Sequence, residues 1–193
     1  MDISVLFSAM PGAVAQGLIW GIMAIGVYIT YKILDVADLT VDGSMCTGGA
    51  VSIMMMLNGY NVWVSLLAAF IAGMLAGLVT GIFHTFMGIP AILAGILTQL
   101  ALYSINLKIM GRANQAISVM NYDLLVSLRN VKNVPFYQNS IFVVAIFCIV
   151  IIGVLYWFFG TEVGSAIRAT GNNPDMIRAL GVNTSWMKII ALL

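Results

Sequence analysis

Residues Val62 to Phe83 read Val-Trp-Val-Ser-Leu-Leu-Ala-Ala-Phe-Ile-Ala-Gly-Met-Leu-Ala-Gly-Leu-Val-Thr-Gly-Ile-Phe, a run without a single charge. At about 1.5 Å per residue a helix of this length is about 33 Å long. That is enough to cross a hydrocarbon core about 30 Å thick. Three more runs of the same kind flank it: Gly12 to Tyr31, Ile89 to Leu107, and Ile141 to Gly160, the last preceded by Asn139-Ser140 as a helix cap. Tyr60, Trp63, Tyr156 and Trp157 fall at or near span ends, where amphipathic rings settle.

The composition agrees. Of 193 residues, 62% are hydrophobic and 8% charged, with a net charge of +1. Soluble domains carry about 25% charged residues. Too few charges remain to keep such a surface in water, and no basic excess exists to neutralise nucleic-acid phosphates. The expectation is an all-α polytopic membrane protein, a single membrane domain over residues 1–193. The N-terminus has no basic stretch ahead of its first apolar run, so that run is read as a retained span rather than a signal peptide. Cys46 and Cys148 both sit in apolar stretches and read as small buried hydrophobes. With one histidine, His84, no metal cluster or nucleophile–base–acid set is evident. No catalytic, cofactor-binding or metal residue is assigned.

Gly43 to Leu57 is apolar but short, and it follows the polar stretch Asp35-Val36-Ala37-Asp38-Leu39-Thr40-Val41-Asp42. The pair reads as a broken pass with a short half helix. Non-helical backbone at membrane depth persists only inside protein or beside a water-filled cavity, and transporters place broken helices on their solute paths. Asp38, Thr40 and Asp42 are candidates for that path, or else caps of the half helix. Gln99, in the third long span, either lines the path or bonds across helices. Gly73, Gly77 and Gly81 form two overlapping GxxxG units, read as helix contacts within the bundle or between subunits.

Residues 108 to 140 are the longest polar segment and read as a solvated loop, with a short helix around Tyr122 to Leu128. Ser185 to Leu193 turns apolar again but is too short to span, so the chain reads as incomplete at its C-terminus, with further helices to follow.

Between them lies Thr161 to Asn183. Asn173 is a good N-cap and Pro174 suits the first helical position. Asp175 in the first turn and Arg178 near the last complement the helix dipole. Gly181 fits the left-handed position past the end. The pattern predicts a helix over Pro174 to Leu180, too short to be stable alone. Its apolar face of Met176, Ile177 and Leu180 is either laid on lipid or fitted to a cytoplasmic partner. With this segment inside and residues 43–57 crossing, Lys32, Arg168, Arg178 and Lys188 are inside and Lys108, Arg112, Arg129 and Lys132 outside. Letting residues 43–57 merely re-enter moves Lys32 out as well, so the positive-inside rule mildly favours the crossing and an external N-terminus.

Gly17-Leu18-Ile19-Trp20-Gly21-Ile22-Met23-Ala24-Ile25-Gly26-Val27, then Asp38-Leu39-Thr40-Val41-Asp42-Gly43-Ser44 and Gly48-Gly49-Ala50, resemble the opening of ABC-importer permeases of the branched-chain amino acid and ribose type. Gly164, Arg168, Ala169, Gly171, Asn172, Ala179, Gly181 and Asn183 resemble the cytoplasmic loop of that family. The likeness runs from about Gly12 to Leu193 and is nearest to bacterial amino-acid permeases of the tryptophan or tyrosine type. It implies a multi-pass permease of the bacterial cytoplasmic membrane that moves a small solute by alternating access. The partners it implies are a second permease copy or homologue, cytoplasmic ATPase subunits and an extracellular solute-binding lipoprotein. It places ATPase coupling on Gly164, Arg168, Gly171, Asn172, Pro174, Asp175, Met176, Ile177, Arg178, Leu180 and Gly181. ATP would be hydrolysed in the partner, since this chain has no phosphate-cradling Gly-x4-Gly-Lys-Ser/Thr sequence. The rival readings are an ion-coupled transporter and a non-catalytic membrane scaffold. The first is disfavoured by spans without ionisable residues except at their ends.

Overall fold

The computed structural model describes residues 3–115, 117 and 140–193. Among these residues the protein is all-helical, and no strand forms. The elements are α1 (Ile3–Tyr28), a π-helical turn (Ile29–Ile33), α2 (Thr40–Leu57), α3 (Val62–Thr85), α4 (Ala91–Met110), α5 (Ser140–Phe159), α6 (Glu162–Asn172), α7 (Pro174–Ala179) and α8 (Thr184–Leu192). Four segments are long and apolar enough to cross a membrane: Met10–Ile33, Val62–Thr85, Ala91–Met110 and Ile141–Phe159. These match the four charge-free runs to within a few residues. The helix expected around Tyr122 to Leu128 and the Asn139 cap lie outside the described residues.

The chain divides into two compact units. One comprises Met1–Ile25 and Ser118–Gly160, and its described helices are the first part of α1 and all of α5. Within it the Cys148 thiol donates to the Leu18 carbonyl at 3.7 Å. The outward faces carry Trp20, Phe147, Ile149, Val150 and Tyr156, large apolar side chains suited to lipid.

The second unit comprises Gly26–Ile117 and Thr161–Leu193. Here α2 packs on both α3 and α4, which also touch each other. It runs antiparallel to α3, with Thr40 opposite Thr80 and Gly48 opposite Ala69. Asn58 closes α2, Gly59 turns the chain at φ 84°, and the Asn61 side chain accepts the Trp63 amide at 3.3 Å to start α3. Against α4, a Cβ on Gly43 would stand 3.3 Å from Leu102 and 3.4 Å from Gln99, so glycine lets the two helices close up. The facing side of α4 is Ala94, Thr98, Leu102 and Asn106, four buried residues at i+4 spacing.

The short helix expected over residues 43–57 is present and extends further toward the N-terminus. The helix begins at Thr40 and its 18 residues reach about 27 Å. The irregular backbone is confined to residues 34–39. The reading placed the break too late because Thr40 and Asp42 look like loop residues, whereas both belong to the first helical turn. Buried hydroxyls elsewhere are satisfied within their own helices. Thr47 donates to the Gly43 carbonyl at 2.8 Å, Thr98 to Ala94 at 3.0 Å and Ser65 to Asn61 at 3.1 Å.

Candidate functional site

The segment after Gly160 folds as three short helices, α6 to α8, that pack on one another. Thr161 caps α6 by accepting the Gly164 amide at 3.3 Å. Gly164, Ile167 and Thr170 are buried, while Arg168 and Asn172 face outward. Thr170 donates to the Ala166 carbonyl at 2.7 Å.

Asn173 ends α6 and begins α7, its side chain accepting the Met176 amide at 3.1 Å with Pro174 next to it. Gly181 takes φ 86° just past the end. Both features match the sequence reading. The expected apolar face is divided. Ile177 is buried, whereas Met176 and Leu180 are 60% and 67% exposed. One side chain thus anchors α7 to its own chain and two are presented outward. Arg178 donates from Nε to the Thr184 hydroxyl at 2.8 Å, and it stands 3.7 Å from the largely exposed Asp175 carboxylate. Asn183 caps α8 through the Ser185 and Trp186 amides at 3.1 and 3.3 Å.

Three glycines fix this module to the membrane helices. The side of Gly171 where a Cβ would stand meets the Ile33 carbonyl oxygen, with the Leu34 carbonyl carbon 3.0 Å from that position. A Cα–H of Gly171 therefore points at the last carbonyl of the π turn. On α3, the corresponding side of Gly77 meets the Leu192 carbonyl of α8, and that of Gly81 is 3.3 Å from Ile189 Cα. Gly73, the third glycine of the stripe, has open space there.

The backbone between these contacts is irregular but tightly bonded. The Leu34 amide donates to Ile29 at 3.1 Å and the Val36 amide to Thr30 at 3.0 Å, wider loops than an α-helix makes. Thr30 donates from its hydroxyl to Val27 at 3.1 Å. Asp35 adopts φ 55°, a left-handed conformation that aspartate tolerates better than most side chains. Leu34 and Val36 on either side of it are buried. The buried Asp38 carboxylate accepts the Thr40 amide at 2.8 Å, and the Thr40 and Thr80 hydroxyls meet at 2.8 Å. Gly95 of α4 closes the other side, where a Cβ would come 2.9 Å from the Leu39 amide nitrogen.

Residues 10–193 match the family described as branched-chain amino acid transport system, permease component. The chain belongs to this permease family. It is 38% identical over 96% of its length to a tyrosine transport system permease protein of Clostridioides difficile, covering 60% of that protein. It is 34% identical over 93% of its length to an uncharacterized protein of Rickettsia prowazekii, covering 61% of it. The autoinducer 2 import system permease of Yersinia pestis is 31% identical over 88% of the chain, with 46% of that protein covered. The chain thus spans about three fifths of the first two relatives. No solved structure matches. The permease is a multi-pass protein of the bacterial cell membrane.

The structure brings the two sets of candidate residues in the permease into one unit. Asp38 and Thr40 hold the start of α2, Asp42 is exposed in its first turn, and Gln99 backs onto Gly43. Gly171 joins the coupling candidates to the end of the π turn. The sequence reading missed α6 and the contact of Gly171 with the π turn, whereas its reading of the α3 glycines as helix contacts holds for Gly77 and Gly81, which meet α8. The buried spacing of Gly164, Ile167 and Thr170 with a Thr161 cap was the available signal for α6.

Proposed function

We propose that the chain is the membrane-spanning part of an ABC importer's permease subunit, with residues 1–193 forming one permease domain. It moves a small solute across the bacterial cytoplasmic membrane by alternating access, and the solute class is an amino acid, as the similarity to the tyrosine transport system permease of Clostridioides difficile supports. ATP is bound and hydrolysed by separate cytoplasmic ATPase subunits, an extracellular binding protein delivers the solute, and a second permease copy or homologue completes the pore.

The observation that carries this reading is the divided face of α7. Ile177 ties the helix to its own chain, and Met176 and Leu180 stand outward on a rigid, capped turn. A small apolar tip presented this way suits a groove on a cytoplasmic partner. Arg168, Asn172, Asp175 and Arg178 add exposed polar groups on the same two helices, α6 and α7. Energy from the partner reaches the membrane only if the tip is held differently in two states. Gly164, Gly171, Pro174 and Gly181 shape the segment that holds the tip in place. On this reading Asp38, Thr40, Asp42 and Gln99 act at the irregular start of α2, where the path can change shape.

The test is co-purification of the permease, expressed from its complete gene, with the ATPase encoded beside it. Retention by the wild type and loss in Met176→Ser/Leu180→Ser, with insertion intact, supports the importer reading. No retention by the wild type overturns it and favours an ion-coupled transporter or a scaffold.

A further inference from the structure

The irregular segment 34–39 is held at both ends, upstream by α6 itself and downstream by α3, the helix on which α8 is seated. Upstream, Gly171 of α6 sits on the Ile33 carbonyl at the end of the π turn. Downstream, Thr40 bonds to Thr80, and the neighbouring Gly81 and Gly77 seat α8. Two of these three links involve main chain on both sides, so no flexible side chain can absorb a displacement. Between them the backbone holds a left-handed Asp35 flanked by buried Leu34 and Val36. Leu34 has a relative exposure of 2% and cannot swing outward without opening the packing around it.

We infer that Gly171 is the positioning residue that passes motion of α6 and α7 to the π turn and the 34–39 segment. This inference rests on the importer reading above. A shift of the cytoplasmic module pushes directly on the Ile33 carbonyl. The stretch between Ile33 and Thr40 is where that push becomes a change of direction, because α2 is clamped to α3 and α4 beyond it. The i→i−5 turn at Ile29–Ile33 is the compliant element, since its wider bonding ring can tighten or relax by one residue. A side chain at position 171 forces the module off the turn and breaks the transmission while leaving the exposed tip of α7 in place.

The test is hydrogen–deuterium exchange on the assembled permease–ATPase complex, with and without a non-hydrolysable ATP analogue. In the wild type, exchange of the amides at 29–39 changes at least about twofold with nucleotide, together with those at 164–171. In Gly171→Ala the 164–180 amides still respond and the 29–39 amides do not. Gly49→Ala and Gly153→Ala, where a Cβ meets nothing within 4 Å, behave as wild type. The inference is overturned if 29–39 is insensitive to nucleotide in the wild type, or follows equally in Gly171→Ala. It is also overturned if Gly171→Ala only raises exchange throughout without nucleotide, as a merely structural glycine would. If Gly171→Ala fails to assemble, the wild-type arm alone decides, by whether 29–39 responds in step with 164–171. Failure of the wild type to hold the ATPase is a different result, and removes the importer reading itself.

Discussion

The hydroxyls of Thr40 and Thr80 lie 2.8 Å apart in the interior of the larger unit and tie the first turn of α2 to α3. Thr80 already donates to the Ala76 carbonyl at 3.3 Å, so Thr40 is the donor across the helices. Hydrogen bonds between membrane helices are worth about 0.6 kcal/mol on average and up to about 1.7. Thr40→Val and Thr80→Val should each lower stability in detergent. A double-mutant cycle should return a coupling of about 0.5–1.5 kcal/mol. A coupling of zero means the bond contributes nothing to holding α2.

The glycines of α3 should respond unequally to a methyl group. Gly77→Ala meets the Leu192 carbonyl and should displace α8, at about 1–3 kcal/mol. Gly73→Ala meets nothing within 4 Å and should be neutral or stabilising by up to about 1 kcal/mol. Thermal unfolding of the purified variants checks both. A loss at position 73 equal to that at 77 would show that a second copy covers Gly73.

Ile177 and its two neighbours on α7 should separate in one experiment. Ile177→Ala removes a buried anchor and should loosen α7 by about 2 kcal/mol, read as faster proteolysis of residues 173–183. Met176→Ser and Leu180→Ser should leave proteolysis unchanged and weaken ATPase retention. Loss of retention in the first variant alone would place the contact elsewhere.

Arg178 should matter through its neutral partner rather than its charged one. The bond from Nε to Thr184 is 2.8 Å, and Arg178→Ala should cost about 0.5–1.5 kcal/mol. The ion pair with Asp175 is 3.7 Å long between side chains 61% and 89% exposed, so Asp175→Asn should fall within a few tenths of a kcal/mol, about the low end for surface pairs. The effect of Arg178→Ala should therefore persist in high salt.

Asp38 separates a cap from a charge. Its carboxylate accepts the Thr40 amide at 2.8 Å. Asp38→Asn keeps an acceptor oxygen and should preserve stability, while Asp38→Ala should lose about 1 kcal/mol, measured by thermal unfolding. A matching loss in Asp38→Asn would mean that the negative charge, rather than the acceptor, is what the site needs.

The features legible in the sequence were those written in local chemistry. Long charge-free runs located the four spans, and the Asn173, Pro174 and Gly181 signals placed α7 to within one residue. The start of α2 was not legible, because Asp38, Thr40 and Asp42 look like loop residues until Asp38 is seen capping the helix. The role of Ile177 was hidden because position on a short helix does not say which side its own chain covers. The contact of Gly171 with Ile33 left no trace at all. It depends on a π turn, which carries no composition of its own, and on the meeting of residues far apart in the chain.

A linkage made of peptide groups is indifferent to cargo. The seat of Gly171 on the Ile33 carbonyl contains no side-chain functional group that could recognise a tyrosine, a sugar or any other molecule. Selectivity and power delivery would then be separable properties of this protein. On the importer reading proposed above, residues that face the solute could be exchanged while this linkage stays as it is.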